Sequence, residues 1–245
     1  MEENNWINLS SYADSVERNN QIDPALYKKY GVKRGLRNED GTGVLVGLTQ
    51  IGDVHGYIVD EKEKVPVEGR LRYRGIDLRD LVAGFQSEKR FGFEETIYLL
   101  LFGQLPNQEE LDAFRRLLGS KRHLPGSFTE DMILKNPSNN IMNKLARSVL
   151  ASYSYDSNPE DYSIENVLRQ SIELIARFPT FVSYGFQAKQ HYHHDKTLYI
   201  HSPDIEASTS ENILRLIRPD GSYTDLEAEL LDLALVLHAE HGGGN

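Results

Sequence analysis

From Asp77 onward the apolar positions recur at helical spacing, and the runs they form are opened by helix-start signals. Asp77 caps a short helix ending near Gly84. In FGFEETIYLLLFGQLP, Glu94 and Glu95 suit a helix N-terminus, a buried apolar run follows, and Gly103 stops it. Asn107 with Glu110 forms a capping-box pattern for a helix reaching about Gly119. Ser138 is expected to cap a helix through Asn143 to Tyr153, and Ser163 one through Val167 to Arg177. Pro179 is expected to start a further helix running to about Gln190. Ser208 with Glu211 caps one that ends before Pro219-Asp220-Gly221.

The final run, Ser222 to Asn245, opens with Thr224 and Glu227 in capping-box spacing. Leu230, Leu231, Leu233, Ala234, Leu235, Val236 and Leu237 then put apolar side chains on nearly every helix face. The pattern predicts a helix buried all round. It is too short, and too interrupted by Glu229 and Asp232, to span a membrane. This helix delivers His238, Glu240 and His241 at its C-terminal end, ahead of three glycines and Asn245.

Before Asp77 the pattern differs. Residues 5 to 30 read as two short helices, with Asp23-Pro24 opening the second and Gly31 stopping it. Residues 31 to 43 form a polar, glycine-rich loop. Residues 44 to 75 are the one β region. Val44 to Ile51 is apolar and β-branched, Gly52-Asp53, Gly56 and Asp60 to Lys64 read as turns, and Leu71 and Tyr73 alternate with arginines. The whole is a mostly α protein with a small β-hairpin region near the N-terminus. It divides into N-terminal helices and polar loop (1–43) and one helical domain (44–245).

Composition narrows the function. The 245 residues are 39% hydrophobic and 26% charged, ordinary for a globular chain. The net charge of −10 argues against a nucleic-acid or anionic-membrane partner. With no cysteine there is no disulfide, thiolate metal site or Cys nucleophile. No signal peptide or transmembrane run is seen, so a cytoplasmic location is expected.

His238 and His241 are three apart and so share a helix face. They sit where the helix macrodipole favours a cation, which suits hydrogen bonding to a carboxylate or carbonyl oxygen. The glycines that follow let backbone N–H groups approach a small ligand. The alternative is a pair of satisfied core histidines. A metal site at His238, Glu240 and His241, or at His191, His193 and His194, lacks the HExxH pattern and further ligands, and no metal is expected. HYHHD reads as an exposed loop edge. Arg70, Arg72, Arg74 and Arg79 read as a solvated strand face with salt bridges, with attraction of an anionic substrate as the alternative. Tyr153, Tyr155 and Tyr162 are expected to pack. Gly41-x-Gly43 lacks the rest of a phosphate-loop signature.

HAEHGGGN resembles the oxaloacetate-binding segment of citrate synthases, H-[AS]-[DE]-H-x-x-x-N. Four further segments resemble that family in order: RLRYRGIDLRDL, FEETIYLLLFGQLPNQEEL, FPTFVSYGF and ENILRLI with its Pro-Asp dipeptide. The likeness spans roughly residues 44 to 245 and implies the family's large helical domain. It implies that His241 and Asn245 contact oxaloacetate and that His238 supports them. It implies condensation of acetyl-CoA, a substrate rather than a cofactor, with oxaloacetate, and a homodimer. The family's P-x-H-G-x-A-[NH] and G-[FY]-G-H-x-x-[YL] segments, which carry its catalytic residues, do not occur in these residues. The chain therefore resembles the N-terminal part of the large domain, without the small domain and with no catalytic residue of its own, and is expected to be inactive alone. A 2-methylcitrate synthase using propionyl-CoA, and a non-catalytic helical interaction module, are the alternatives.

Overall fold

The computed structural model describes residues 9–32, 48–61 and 63–240. Two short helices, α1 (Leu9–Asn19) and α2 (Pro24–Lys29), come first. Strands β1 (Gly52–Asp60), β2 (Glu63–Tyr73) and β3 (Ile76–Asp77) form an antiparallel sheet in the order β1-β2-β3. Helices α3 (Leu78–Ser87), α4 (Phe93–Phe102), α5 (Gln108–Lys121), α6 (Ile141–Ser152), α7 (Ile164–His194), α8 (Thr209–Ile217) and α9 (Asp225–Leu237) make up the rest, with a π-helical turn at Thr129–Leu134 and a 3-10 turn at Tyr153–Tyr155. The protein is mostly α with a small sheet, as its pattern predicts. No helix among the described residues is long and apolar enough to cross a membrane.

The capping signals operate locally. Asn107 Oδ1 accepts the Glu110 N–H at 3.0 Å while Glu110 Oε2 accepts the Asn107 N–H at 2.8 Å. Ser208 with Glu211 and Thr224 with Glu227 close the same reciprocal pair at α8 and α9. Asp77 caps α3, and Gly103 ends α4 at φ 76°, where a side chain would be strained. At α6 the cap is Asn140, not Ser138; the Ser138 hydroxyl instead accepts the Asn140 N–H.

Expectations also change in three regions: the strand region, α7 and α9. Leu48 to Ile51 are not strand: the Thr49 hydroxyl takes the Ile51 N–H at 3.1 Å, a local turn that competes with a ladder. Gly52 and Asp53, expected as a turn, instead open β1, paired with Tyr73 and Arg72, and Gly56 lies inside β1 at a register shift. Residues 44–47 of the expected strand, and Gly41 and Gly43, lie outside the described residues. Pro179 does not start a helix; it sits inside the 31-residue α7. Burial explains this. Leu168, Ile172 and Ala176 lie in one core cluster and Phe181, Tyr184 and Ala188 in another, so packing on both sides of the proline holds the helix through it.

The third change concerns α9. Its buried residues are Ala228, Asp232 and Val236, four apart and so on one face. Leu226, Leu230 and Leu237 are 64%, 58% and 45% exposed. The helix is buried along a single stripe, not all round, and one of its acidic interruptions is the most buried group on it after Ala228 and Val236.

Helix α4 is the central element. Ile97, Tyr98 and Phe102 pack with α1, α5 and α7, while Leu99 packs with Tyr73, α3 and Val236 of α9. A ring of aromatic contacts, Tyr12 with Tyr98 and Phe102, and both of these with Phe114, fastens α1 to α4 and α5.

Candidate functional site

The C-terminal end of α9 carries the predicted site. His238 is its C-cap, with φ −105°, and its side chain is exposed, so it is not a core histidine. The Ala234 carbonyl accepts the His238 N–H at 3.2 Å and bonds the imidazole Nδ1 at 2.7 Å. A carbonyl only accepts, so Nδ1 carries the hydrogen and Nε2 is the outward ring nitrogen. His241 and Asn245 lie outside the described residues.

A second chain segment secures this helix end. Tyr73, on β2, is fully buried, and its hydroxyl donates to the Val236 carbonyl at 2.7 Å. The Glu240 N–H donates back to the same oxygen at 3.4 Å. The last carbonyls of a helix have no intrahelical partner. Here the Val236 oxygen receives both the Tyr73 hydroxyl and the Ala239 N–H. In the sequence Tyr73 reads as a strand residue alternating with arginines and as part of RLRYRGIDLRDL; a partner 163 residues away leaves no local signal of its helix tie.

Arg74, the next residue, does the same for α4. Its guanidinium donates to the Leu100 carbonyl at 2.6 Å through Nη2 and to the Asn19 carbonyl at 3.2 Å through Nη1. Asn19 Nδ2 in turn donates to the Phe102 carbonyl at 2.6 Å. Tyr73 and Arg74 therefore tie down three helix C-termini, α9 through the phenol and α4 and α1 through the guanidinium. The other three arginines behave as expected for a solvated face: Arg70 lies 3.9 Å from Asp77, Arg72 3.6 Å from Asp53 and Arg79 2.6 Å from Glu68.

The N-terminus of α4 is held from α9. Gly92 has no side chain to cap it, and none would fit, because a Cβ there would lie 2.2 Å from the Phe85 ring. Asp232 supplies the cap instead, accepting the Gly92 N–H at 2.7 Å and the Phe93 N–H at 3.2 Å. Burial pushes the Asp232 carboxyl up to about 6, against the lowering effect of those two amides. Glu94 caps onward, accepting the Thr209 N–H of α8 at 2.7 Å. A cleft of 590 Å³ beside Asp232, with Lys89, Arg90, Asp225 and Glu229 on its walls, follows the N-terminal half of α9. The cleft reaches along α9 as far as Leu233, five residues or about 8 Å of helix axis before His238, which is not among its lining residues.

The remaining candidates are placed as follows. His191, His193 and His194 form the last turn of α7 rather than a loop edge, because the helix runs on to Asp195 in the left-handed conformation. His191 Nδ1 bonds the Lys196 carbonyl at 2.8 Å. Among the described residues no three His, Asp or Glu side chains are grouped to hold a metal. Tyr155 packs on Phe128, but Tyr153 and Tyr162 are exposed, both bonding Glu160 through their hydroxyls.

Residues 38–245 match the family model described as citrate synthase, C-terminal domain. The citrate synthase of Haloferax volcanii is 30% identical over 215 residues, covering 86% of this chain and 49% of that protein. The 2-methylcitrate synthase 1 of Corynebacterium glutamicum is 27% identical, with the same 86% and 49% coverage. Among solved structures, the ternary complex of carboxymethyl coenzyme A and oxaloacetate with the Thermoplasma acidophilum citrate synthase superposes with a TM-score of 0.61. It is 19% identical, and the match covers 80% of this chain and 45% of that one. The chain thus spans about half the length of the curated relatives it matches. With a family model matched over most of its residues, the chain belongs to the citrate synthase family.

Proposed function

We propose that this chain provides the oxaloacetate-binding segment of a citrate synthase-type acyltransferase. The reaction is condensation of acetyl-CoA with oxaloacetate and water to citrate and CoA, as in the tricarboxylic acid cycle. The reading rests on the HAEHGGGN sequence, whose first residues, His238 to Glu240, follow directly on α9 where the Tyr73 hydroxyl bonds the Val236 carbonyl and the Glu240 N–H. A helix C-terminus favours a cationic group, and His241 enters it as a donor to the keto acid, with Asn245 in the same pocket. His238, bonded to its own helix, supports that segment. Acetyl-CoA is a substrate, and no cofactor is required. The family relation and the ligands named for the Thermoplasma acidophilum complex support both substrates.

The family's catalytic residues belong to the P-x-H-G-x-A-[NH] and G-[FY]-G-H-x-x-[YL] segments, which do not occur in these 245 residues. A polypeptide of residues 1–245 by itself is therefore inactive in this reading, and the working unit is a cytoplasmic homodimer that includes those segments. A second reading, 2-methylcitrate synthesis from propionyl-CoA, is favoured by the Corynebacterium glutamicum relative. Thiol release assayed with acetyl-CoA and with propionyl-CoA, each with oxaloacetate, tests both in a protein that carries this chain and the catalytic segments. Release with neither acyl-CoA contradicts the proposal, and preference for propionyl-CoA selects the second reading.

A further inference from the structure

We propose that Tyr73 is a positioning residue for the oxaloacetate segment, acting on His241 through the turn from Val236 to Glu240. The inference rests on the function proposed above and adds a residue to it. Three observations carry it.

The first is the mount. Tyr73 is fully buried, and its ring packs with Leu78, Leu81, Phe85 and Leu99. Its backbone is paired with Gly52 on one side and Ile76 on the other. Arg74 anchors the next residue to the end of α4. The phenol oxygen thus has a fixed direction before it meets α9.

The second is the two-sided contact. The hydroxyl donates to Val236, the last buried residue of α9, and accepts the N–H of Glu240, two residues past the His238 cap. One oxygen spans the turn that leads directly into His241.

The third is how little else is buried there. Leu237 and His238 are both exposed, and His238 bonds its own helix. Apolar packing reaches this end through Val236 and Ala239. A polar tie on a rigid strand then decides where the chain leaves the helix.

Tyr73→Phe removes the oxygen and keeps the ring, so the core stays packed. In the chain itself, amide hydrogen exchange at Ala239 and Glu240 is expected to accelerate about tenfold, the equivalent of one lost hydrogen bond, while α5 and α7 keep their protection. Unchanged exchange at those two amides overturns the proposal. In a protein that also carries the catalytic segments, the variant is expected to raise the KM for oxaloacetate about tenfold, leaving kcat and the KM for acyl-CoA within about twofold. A merely structural tyrosine would lower the melting temperature without this split. If that protein's wild type shows no oxaloacetate-dependent turnover, the proposed function fails, and the exchange result alone decides whether Tyr73 holds the turn. If the wild type turns over and the variant keeps the wild-type oxaloacetate KM, the positioning role is wrong and the proposed function stands.

Discussion

Asp232 caps a helix to which it does not belong: its carboxylate, on α9, accepts the Gly92 N–H at the start of α4 at 2.7 Å. Gly92 is glycine because the Phe85 ring occupies the space of a side chain, and α4 is consequently capped from outside. With the Phe93 N–H bond and the packing of Leu99 on Val236, this bond joins α9 to the central helix of the fold. Asp232→Ala leaves two amides without an acceptor at a buried position. It is expected to lower stability by about 1–2 kcal/mol, the range for loss of a helix N-cap, as measured by chemical denaturation.

The same carboxyl sets a pH dependence. Burial raises its pKa from 3.8 to about 6, so between those values the folded state holds a proton that the unfolded state has lost. Stability falls with rising pH wherever the folded state binds more protons. The contribution of Asp232 is therefore full below pH 3.8 and lost as pH rises through about 6. Wild type compared with Asp232→Asn should lose relative stability across this window. A flat difference would show that the carboxyl titrates normally.

Lys144 predicts the opposite slope at alkaline pH. Its ammonium is buried, donating to the Met132 carbonyl and, at 3.2 Å, to that of Asn136, beside the π-helical turn. Burial, with the Arg147 charge nearby, pushes its pKa from 10.5 down to about 8. Between those values the unfolded state holds the extra proton, so stability rises with pH. Wild type compared with Lys144→Met should gain relative stability from pH 8 to 10.5. Denaturation midpoints across that range read the effect directly, and a falling difference contradicts it.

How much of this was legible in the chain depends on distance. Caps formed within four residues, at Asp77, Asn107, Ser208 and Thr224, were readable because donor and acceptor are neighbours in sequence. Pro179 misled because the packing that carries α7 through it comes from other helices. The face of α9 misled because leucines on nearly every side leave no periodicity to show which side is buried; the informative residue was Asp232, which read as an interruption. Within the site, the motif gave His238 its place. The ties from Tyr73 and Asp232, 163 and 140 residues from their partners, had no local trace.

The exposed leucines of α9 lead to a prediction about assembly. Leu226 and Leu230 lie four apart, on one side of the helix and largely uncovered. Neighbouring exposed leucines on one helix side suit contact with a second copy. The chain is expected to self-associate, and Leu226→Glu with Leu230→Glu should weaken association at least about tenfold, given roughly 1.5–3 kcal/mol for each buried leucine. Sedimentation velocity showing wild type to be a monomer at high concentration would refute this.

The central claim is that the HAEHGGGN segment binds oxaloacetate, and His241→Ala tests it most directly. The measurement is the KM for oxaloacetate and for acetyl-CoA in a protein that carries this chain with the catalytic segments. Loss of one hydrogen bond to a charged group, about 1.5–3 kcal/mol, predicts a rise of roughly tenfold to a hundredfold in the oxaloacetate KM with little change for acetyl-CoA. An oxaloacetate dependence equal to wild type would make His241 a structural residue and contradict the assignment.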